Sequence, residues 1–222
     1  MNDREKTPYP AALLFDLDGT LANTDPLHLK AWQRCLKSEG IDVDEPFYAT
    51  HITGRTTPEA VRHLFPQLDE AGVQEFAAYK ERTFRQLAEG VQPVAGLVEV
   101  LHWAAEHRRH TALVTNGSRE NVSFMLKELG LEHEFEVRIY GEELHVGKPD
   151  PLPYRLALEQ LRMGAAQSVA FEDSPTGVRA SAAAGIRTVG IATTQTEATL
   201  AGAGAERVVK DFTDPRLWEL LR

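Results

Sequence analysis

Residues 11–15, AALLF, form an unbroken apolar run that stops at Asp16 and Asp18. Runs of similar length recur later, at Thr111–Val114, Val137–Tyr140, Ser168–Phe171, Arg187–Ile191 and, more weakly, Glu206–Val209. Between them, near 96–107, 119–129, 151–162 and 175–184, and again near 214–221, apolar residues return every three or four positions, the spacing of a helix. Short apolar strands alternating with amphipathic helices predict a mostly parallel sheet covered on both faces. The fold class expected is α/β, a Rossmann-like doubly wound parallel sheet. From about residue 24 to 91 the pattern changes, helical periodicity dominates (His28–Glu39, Pro58–Phe65, Val73–Ala88), and no convincing strand occurs. This stretch reads as an α-helical cap inserted after the first strand, giving a core of residues 1–23 and 93–222 and a cap of residues 24–92.

Composition narrows the class. The 222 residues, 42% hydrophobic and 26% charged, suit a globular enzyme, and no run approaches the ~18 apolar residues of a membrane span. The opening MNDREKTPYP is polar and has no hydrophobic signal core, and the single cysteine, Cys35, excludes an internal disulfide, so a cytoplasmic location is expected. The net charge is −9 and the basic residues are scattered, which argues against nucleic acid or a membrane as partner. A small anionic substrate fits only if a metal or local cations reverse the sign inside a site.

In open parallel sheets ligands sit at the carboxyl ends of the strands, so the residues directly after each apolar run decide the chemistry. Asp16 and Asp18 come after the first, and Thr115, Asn116 and Gly117 after the second. The loop beyond Tyr140 leads to Gly147-Lys148-Pro149, and Glu172 and Asp173 succeed Phe171. Four carboxylates converging on one crevice call for a hard cation, and Mg2+ takes oxygen ligands while bridging to phosphate. Asp16, Asp173 and Glu172 offer side-chain oxygens, and Asp18 offers its backbone carbonyl. On an extended segment Asp16 and Asp18, at i and i+2, face the same way. Asp16 is then placed to attack phosphorus, and Asp18 to carry the leaving group's proton. Lys148, the Thr115 hydroxyl and loop amides at Asn116 and Gly117 would hold the phosphoryl oxygens.

The segments FDLDGT, VTNGS, GKPDP and FEDSPTG, in that order, resemble the four motifs of the haloacid dehalogenase superfamily. The resemblance spans essentially the whole chain and is closest to the group holding β-phosphoglucomutase and related sugar-phosphate phosphatases, which carry an α-helical C1 cap. It implies the nucleophile at Asp16, the acid/base at Asp18, phosphate holders at Thr115 and Lys148, and the Mg2+ end at Asp173 and Glu172. It also implies substrate-binding cap positions. Asn23-Thr24-Asp25-Pro26-Leu27-His28 with Ala31-Trp32 resembles the linker and first cap helix, and Gly54-Arg55-Thr56-Thr57 the loop that holds the substrate's distal part. Thr24, His28 and Arg55 are therefore candidates, although His28 reads equally well as a partly buried helix residue. The mutases carry an acidic residue where this chain has Asn23.

The function expected is Mg2+-dependent hydrolysis of small phosphorylated metabolites, sugar phosphates foremost, through an aspartyl-phosphate, by a monomer or weak dimer. The alternative is a phosphomutase using the same intermediate. A dehalogenase needs neither Asp18 nor an acidic metal cluster, and a phospho-accepting receiver module needs no cap. The His102–His110 run sits at a helix end where basic groups suit the dipole, and its spacing does not gather three metal ligands.

Overall fold

The computed structural model describes residues 10–53 and 55–221. By their contacts the residues form two compact units, Met1–Asn23 with Gln92–Arg222, and Thr24–Val91. In chain order the elements are β1 (Ala12–Phe15), α1 (Asp25–Lys37), α2 (Glu45–His51), α3 (Thr57–Leu64) and α4 (Glu70–Leu87). They continue with α5 (Leu97–Glu106), β2 (His110–Thr115), α6 (Arg119–Glu128), β3 (Val137–Tyr140), α7 (Leu152–Leu161) and β4 (Ser168–Glu172). The last are α8 (Pro175–Ala183), β5 (Arg187–Ile191), α9 (Glu197–Ala203), β6 (Arg207–Val209) and α10 (Pro215–Leu221).

The strands form one parallel sheet in the order β3-β2-β1-β4-β5-β6, the α/β architecture that the alternating pattern predicts. From β1 the chain works outward through β2 to β3, then crosses to the other side of β1 for β4. The strand order reverses there, which opens a crevice beyond the carboxyl ends of β1 and its neighbours. β1 is apolar throughout because both its faces are covered, and Ala12, Leu13, Leu14 and Phe15 are fully buried. Ala12 and Leu14 share a cluster with Tyr154, Ala157 and Leu161 of α7. Elsewhere in the core, Phe15 stacks on Phe171 at 4.8 Å, and Phe171 meets Phe212 edge-on at 5.3 Å.

The helical unit has its own core, in which Trp32 and Leu36 of α1 pack with Ala60 and Val61 of α3 and Val73 and Ala77 of α4. Its helices α3 and α4 begin earlier than apolar periodicity alone predicts, because polar caps set their first turns. Asp69 accepts the Gly72 amide at 2.9 Å ahead of α4, and Thr56 and Glu59 close a reciprocal capping box on α3. Among the described residues, no helix is long and apolar enough to cross a membrane.

Candidate active site

β1 and β4 pair in register, Phe15 beside Phe171, and the ladder ends with the Asp16 amide donating to the Phe171 carbonyl at 3.1 Å. The next side chains on the two strands, Asp16 and Glu172, therefore emerge together at the carboxyl edge. The extended alternation expected for Asp16 and Asp18 is not what aims them, because β1 stops at Phe15. Asp18 instead forms an isolated bridge to Ala22, and Gly19 turns the chain at φ +80°. A Cβ on Gly19 would collide with Asp173 Oδ2, so glycine is required there for both conformation and space. Asp18 is half-buried, its carboxylate 3.7 Å from where a Cβ on Gly117 would lie.

Lys148 reaches in from the loop beyond β3. Its Nζ donates to Asp16 Oδ1 at 2.6 Å and to Glu172 Oε1 at 2.5 Å. Tyr154 of α7 donates its hydroxyl to the same Glu172 oxygen at 2.5 Å. Beyond β5, the Thr194 hydroxyl donates to Asp173 Oδ2 and the Thr193 hydroxyl to the Gly19 carbonyl. Asp16, Lys148, Glu172 and Asp173 are all at most 9% exposed, so their charges interact with little screening by water.

Burial pushes the Asp16 carboxyl well above the usual carboxylate range, Lys148 pulls against this, and Glu172, Asp173 and Asp18 push it further up. On Lys148, burial works to lower the ammonium, but Asp16 and Glu172 outweigh it and hold it above its ordinary value. Asp173 is raised to about 7, by burial first, against the Thr194 hydrogen bond. Because its folded value lies above the unfolded one, Asp173 favours folding below about pH 4, and that contribution is lost as the pH rises to about 7. In chelator, the melting temperature of the wild type relative to Asp173→Asn is expected to fall across this interval. A calorimetric difference that stays constant from pH 4 to 7 would contradict it.

One oxygen from each of Asp16, Glu172 and Asp173 lies within 4.8 Å of the others, a donor set suited to a hard divalent cation. Among the described residues Glu172 Oε2 is buried without a hydrogen-bond partner, as expected of an oxygen that a metal would take. Three buried carboxylates around one lysine also leave negative charge that a cation would neutralise. The residues present therefore fit Mg2+.

Thr115 ends β2, buried, and its Oγ1 accepts the Gly117 amide at 2.9 Å. That amide, expected to hold phosphoryl oxygens, is thus engaged within its own turn. The Asn116 side chain grips the lysine loop, accepting the Lys148 amide at 3.0 Å and donating to the Lys148 carbonyl at 3.2 Å. Asn116 fixes the backbone that delivers the lysine.

In the helical unit Thr24 is fully buried at the start of α1. His28 is half-buried, stacked parallel on Phe84 at 3.9 Å, with Nδ1 accepting from Lys80 Nζ at 2.8 Å. Lys80 also donates to Glu81 at 3.0 Å and is buried, which sequence reasoning missed because a lysine on an amphipathic helix reads as solvated. Arg55 is exposed and donates to the Thr50 carbonyl at 3.2 Å, and its neighbour Gly54 lies outside the described residues. Tyr154 and Thr194 were also missed, since neither belongs to a strand-end motif.

The family model for haloacid dehalogenase-like hydrolases matches residues 13–191. Validoxylamine A 7'-phosphate phosphatase of Streptomyces hygroscopicus subsp. limoneus is 33% identical over 205 residues, 91% of this chain and 94% of that protein. The phosphorylated carbohydrates phosphatase of Thermotoga maritima is 32% identical, covering 80% of this chain and 83% of its own. The crystal structure of CbbY from Rhodobacter sphaeroides in complex with phosphate superposes with a TM-score of 0.81 at 27% identity, covering 95% of this chain and 99% of that one. With the match running from β1 to the end of β5 and taking in every residue of the acidic cluster, the chain belongs to the haloacid dehalogenase-like hydrolases.

Proposed function

We propose that the protein is a Mg2+-dependent phosphatase of small phosphorylated carbohydrates that works through an aspartyl-phosphate on Asp16. The observation that carries this reading is the buried cluster of Asp16, Glu172 and Asp173, in which Lys148 pairs with Asp16 and Glu172 while Glu172 Oε2 has no partner among the described residues. Phosphatases of phosphorylated carbohydrates among the relatives support the substrate class. Asp16, Glu172 and Asp173, with the Asp18 carbonyl, would hold Mg2+, which supplies positive charge against the phosphoryl oxygens.

In the forward half-reaction an Asp16 oxygen attacks phosphorus while the bond to the sugar oxygen breaks, and the departing alkoxide takes its proton from Asp18. In the second half, water attacks the aspartyl-phosphate, Asp18 takes the water's proton, and phosphate leaves with Asp16 regenerated. Lys148 has three N–H donors, of which Asp16 and Glu172 receive two, and Thr115 offers its O–H. Both would bind the phosphoryl oxygens as charge shifts between them. A single buried cysteine leaves the fold without an internal disulfide, in keeping with a cytoplasmic enzyme.

The test is a panel of sugar, nucleotide and glycolytic phosphates assayed with and without Mg2+. Inorganic phosphate released from sugar phosphates only with Mg2+ is the expected result. Isomer formation dependent on a catalytic bisphosphate, without net phosphate release, would replace the phosphatase by a mutase. Within the same reading, the helical unit selects the substrate and Arg55 contributes to that choice. Arg55→Ala is accordingly expected to lower kcat/KM for sugar phosphates about tenfold more than for p-nitrophenyl phosphate, the scale of one charge-assisted hydrogen bond. Equal losses on both substrates would remove Arg55 from the selection.

A further inference from the structure

Two hydroxyls from outside the four strand-end motifs fasten the acidic pair at the end of β4. Tyr154, fully buried on α7, donates to Glu172 Oε1, and Thr194, in the loop after β5, donates to Asp173 Oδ2. We propose that Tyr154 and Thr194 are positioning residues that set how tightly this cluster takes a divalent cation. The inference rests on the reading of the cluster as the Mg2+ site.

A carboxylate can offer either oxygen, and the terminal torsion of a glutamate is soft. At Glu172 that freedom is removed. Oε1 receives both the Lys148 ammonium and the Tyr154 hydroxyl, each at 2.5 Å, while buried Oε2 has no partner among the described residues. Lys148 alone would fix the carboxylate poorly, because its ammonium is shared with Asp16 at 2.6 Å. The whole carboxylate lies against Gly177, where a Cβ would collide with Oε2 and Oε1 alike, so the group can occupy this place only because residue 177 is glycine. The Tyr154 phenol has one O–H to give, and Glu172 Oε1 receives it. Thr194 does the same for Asp173, engaging Oδ2 and also the Asp173 carbonyl at 3.2 Å, and so distinguishes Oδ1 from Oδ2. Hydrogen-bond partners behind metal ligands commonly change metal affinity by about 10–100-fold when removed.

Mg2+ binding to the full chain is measured by titration calorimetry for the wild type, Tyr154→Phe, Thr194→Val and Thr194→Ser. The phenylalanine keeps the ring that lies 5.3 Å from Lys148 Nζ and loses only the hydroxyl. The dissociation constant is expected to rise about tenfold for Tyr154→Phe and Thr194→Val and to stay within about twofold for Thr194→Ser, which retains the hydroxyl. The Mg2+ concentration for half-maximal turnover should rise in parallel, with the deficit shrinking as Mg2+ saturates. Affinities of the phenylalanine and valine variants within twofold of the wild type would overturn the inference, as would Thr194→Ser behaving like Thr194→Val. A wild type that takes up no Mg2+ overturns the metal reading and this inference together. Unchanged variants of a Mg2+-binding wild type overturn the inference alone.

Discussion

Asp16→Asn is expected to lose Mg2+-dependent turnover of p-nitrophenyl phosphate by about three orders of magnitude or more while remaining folded, because in the proposed reaction it removes the attacking oxygen rather than a contact. The amide has nearly the shape of the carboxylate. Burial already drives Asp16 toward its neutral form, so a neutral replacement asks little of the surroundings. Lys148 keeps its second partner, Glu172, at 2.5 Å. Melting followed by circular dichroism, alongside phosphate release, separates the two effects. Retained activity in a folded variant would place the nucleophile elsewhere, whereas an unfolded variant would mean that the charge of Asp16 is structural.

Lys148→Met should cost both activity and stability. Lys148 is the cation paired with the cluster among the described residues, and its side chain is 4% exposed. Its loss leaves Asp16, Glu172 and Asp173 buried without compensation, a change that typically costs about 3–5 kcal/mol. For a chain of this size that corresponds to a melting temperature lower by roughly 10 °C. Added Mg2+ should recover part of the loss, since it supplies positive charge to the same oxygens. The ion pair of Arg62 and Glu70, at 2.7 Å with both side chains about half exposed, is the matching control. Breaking it with Arg62→Met should move the melting temperature little, because water already screens both charges. Similar shifts in the two variants would show that burial does not set the energetics of the cluster.

The sheet was legible because its strands are covered on both faces. AALLF and SVAF are apolar without alternation, and only a parallel, two-sided sheet needs that. The helices that periodicity did not reveal are those with little to bury. α2 has no buried residue and α9 buries only Leu200, so neither carries an apolar stripe. In the site, the motif residues stood out because carboxylates and threonine directly after apolar strands, and a lysine in the loop beyond one, have no packing role there. Tyr154 gave no such signal: it occupies a core-facing position on α7, and only the structure shows its hydroxyl reaching Glu172. Thr194 lies in a polar loop, where threonine is ordinary. The side chain of Asn116 gave no signal of its own either: the sequence pointed to loop amides at Asn116 and Gly117, and the structure shows the Asn116 side chain bonded to the lysine loop.

The strand order also has a consequence for synthesis on the ribosome. β1 emerges first, yet its two pairing partners begin at His110 and Ser168. The helical unit comes from one continuous stretch and can collapse without waiting, whereas ALLF must wait for both neighbours. Until β4 docks, the nascent chain carries an apolar strand with an unpaired edge, which is a target for chaperones and for aggregation. Asp16 meets Glu172 only when that edge closes, so completion of the acidic cluster and protection from aggregation arrive in the same step.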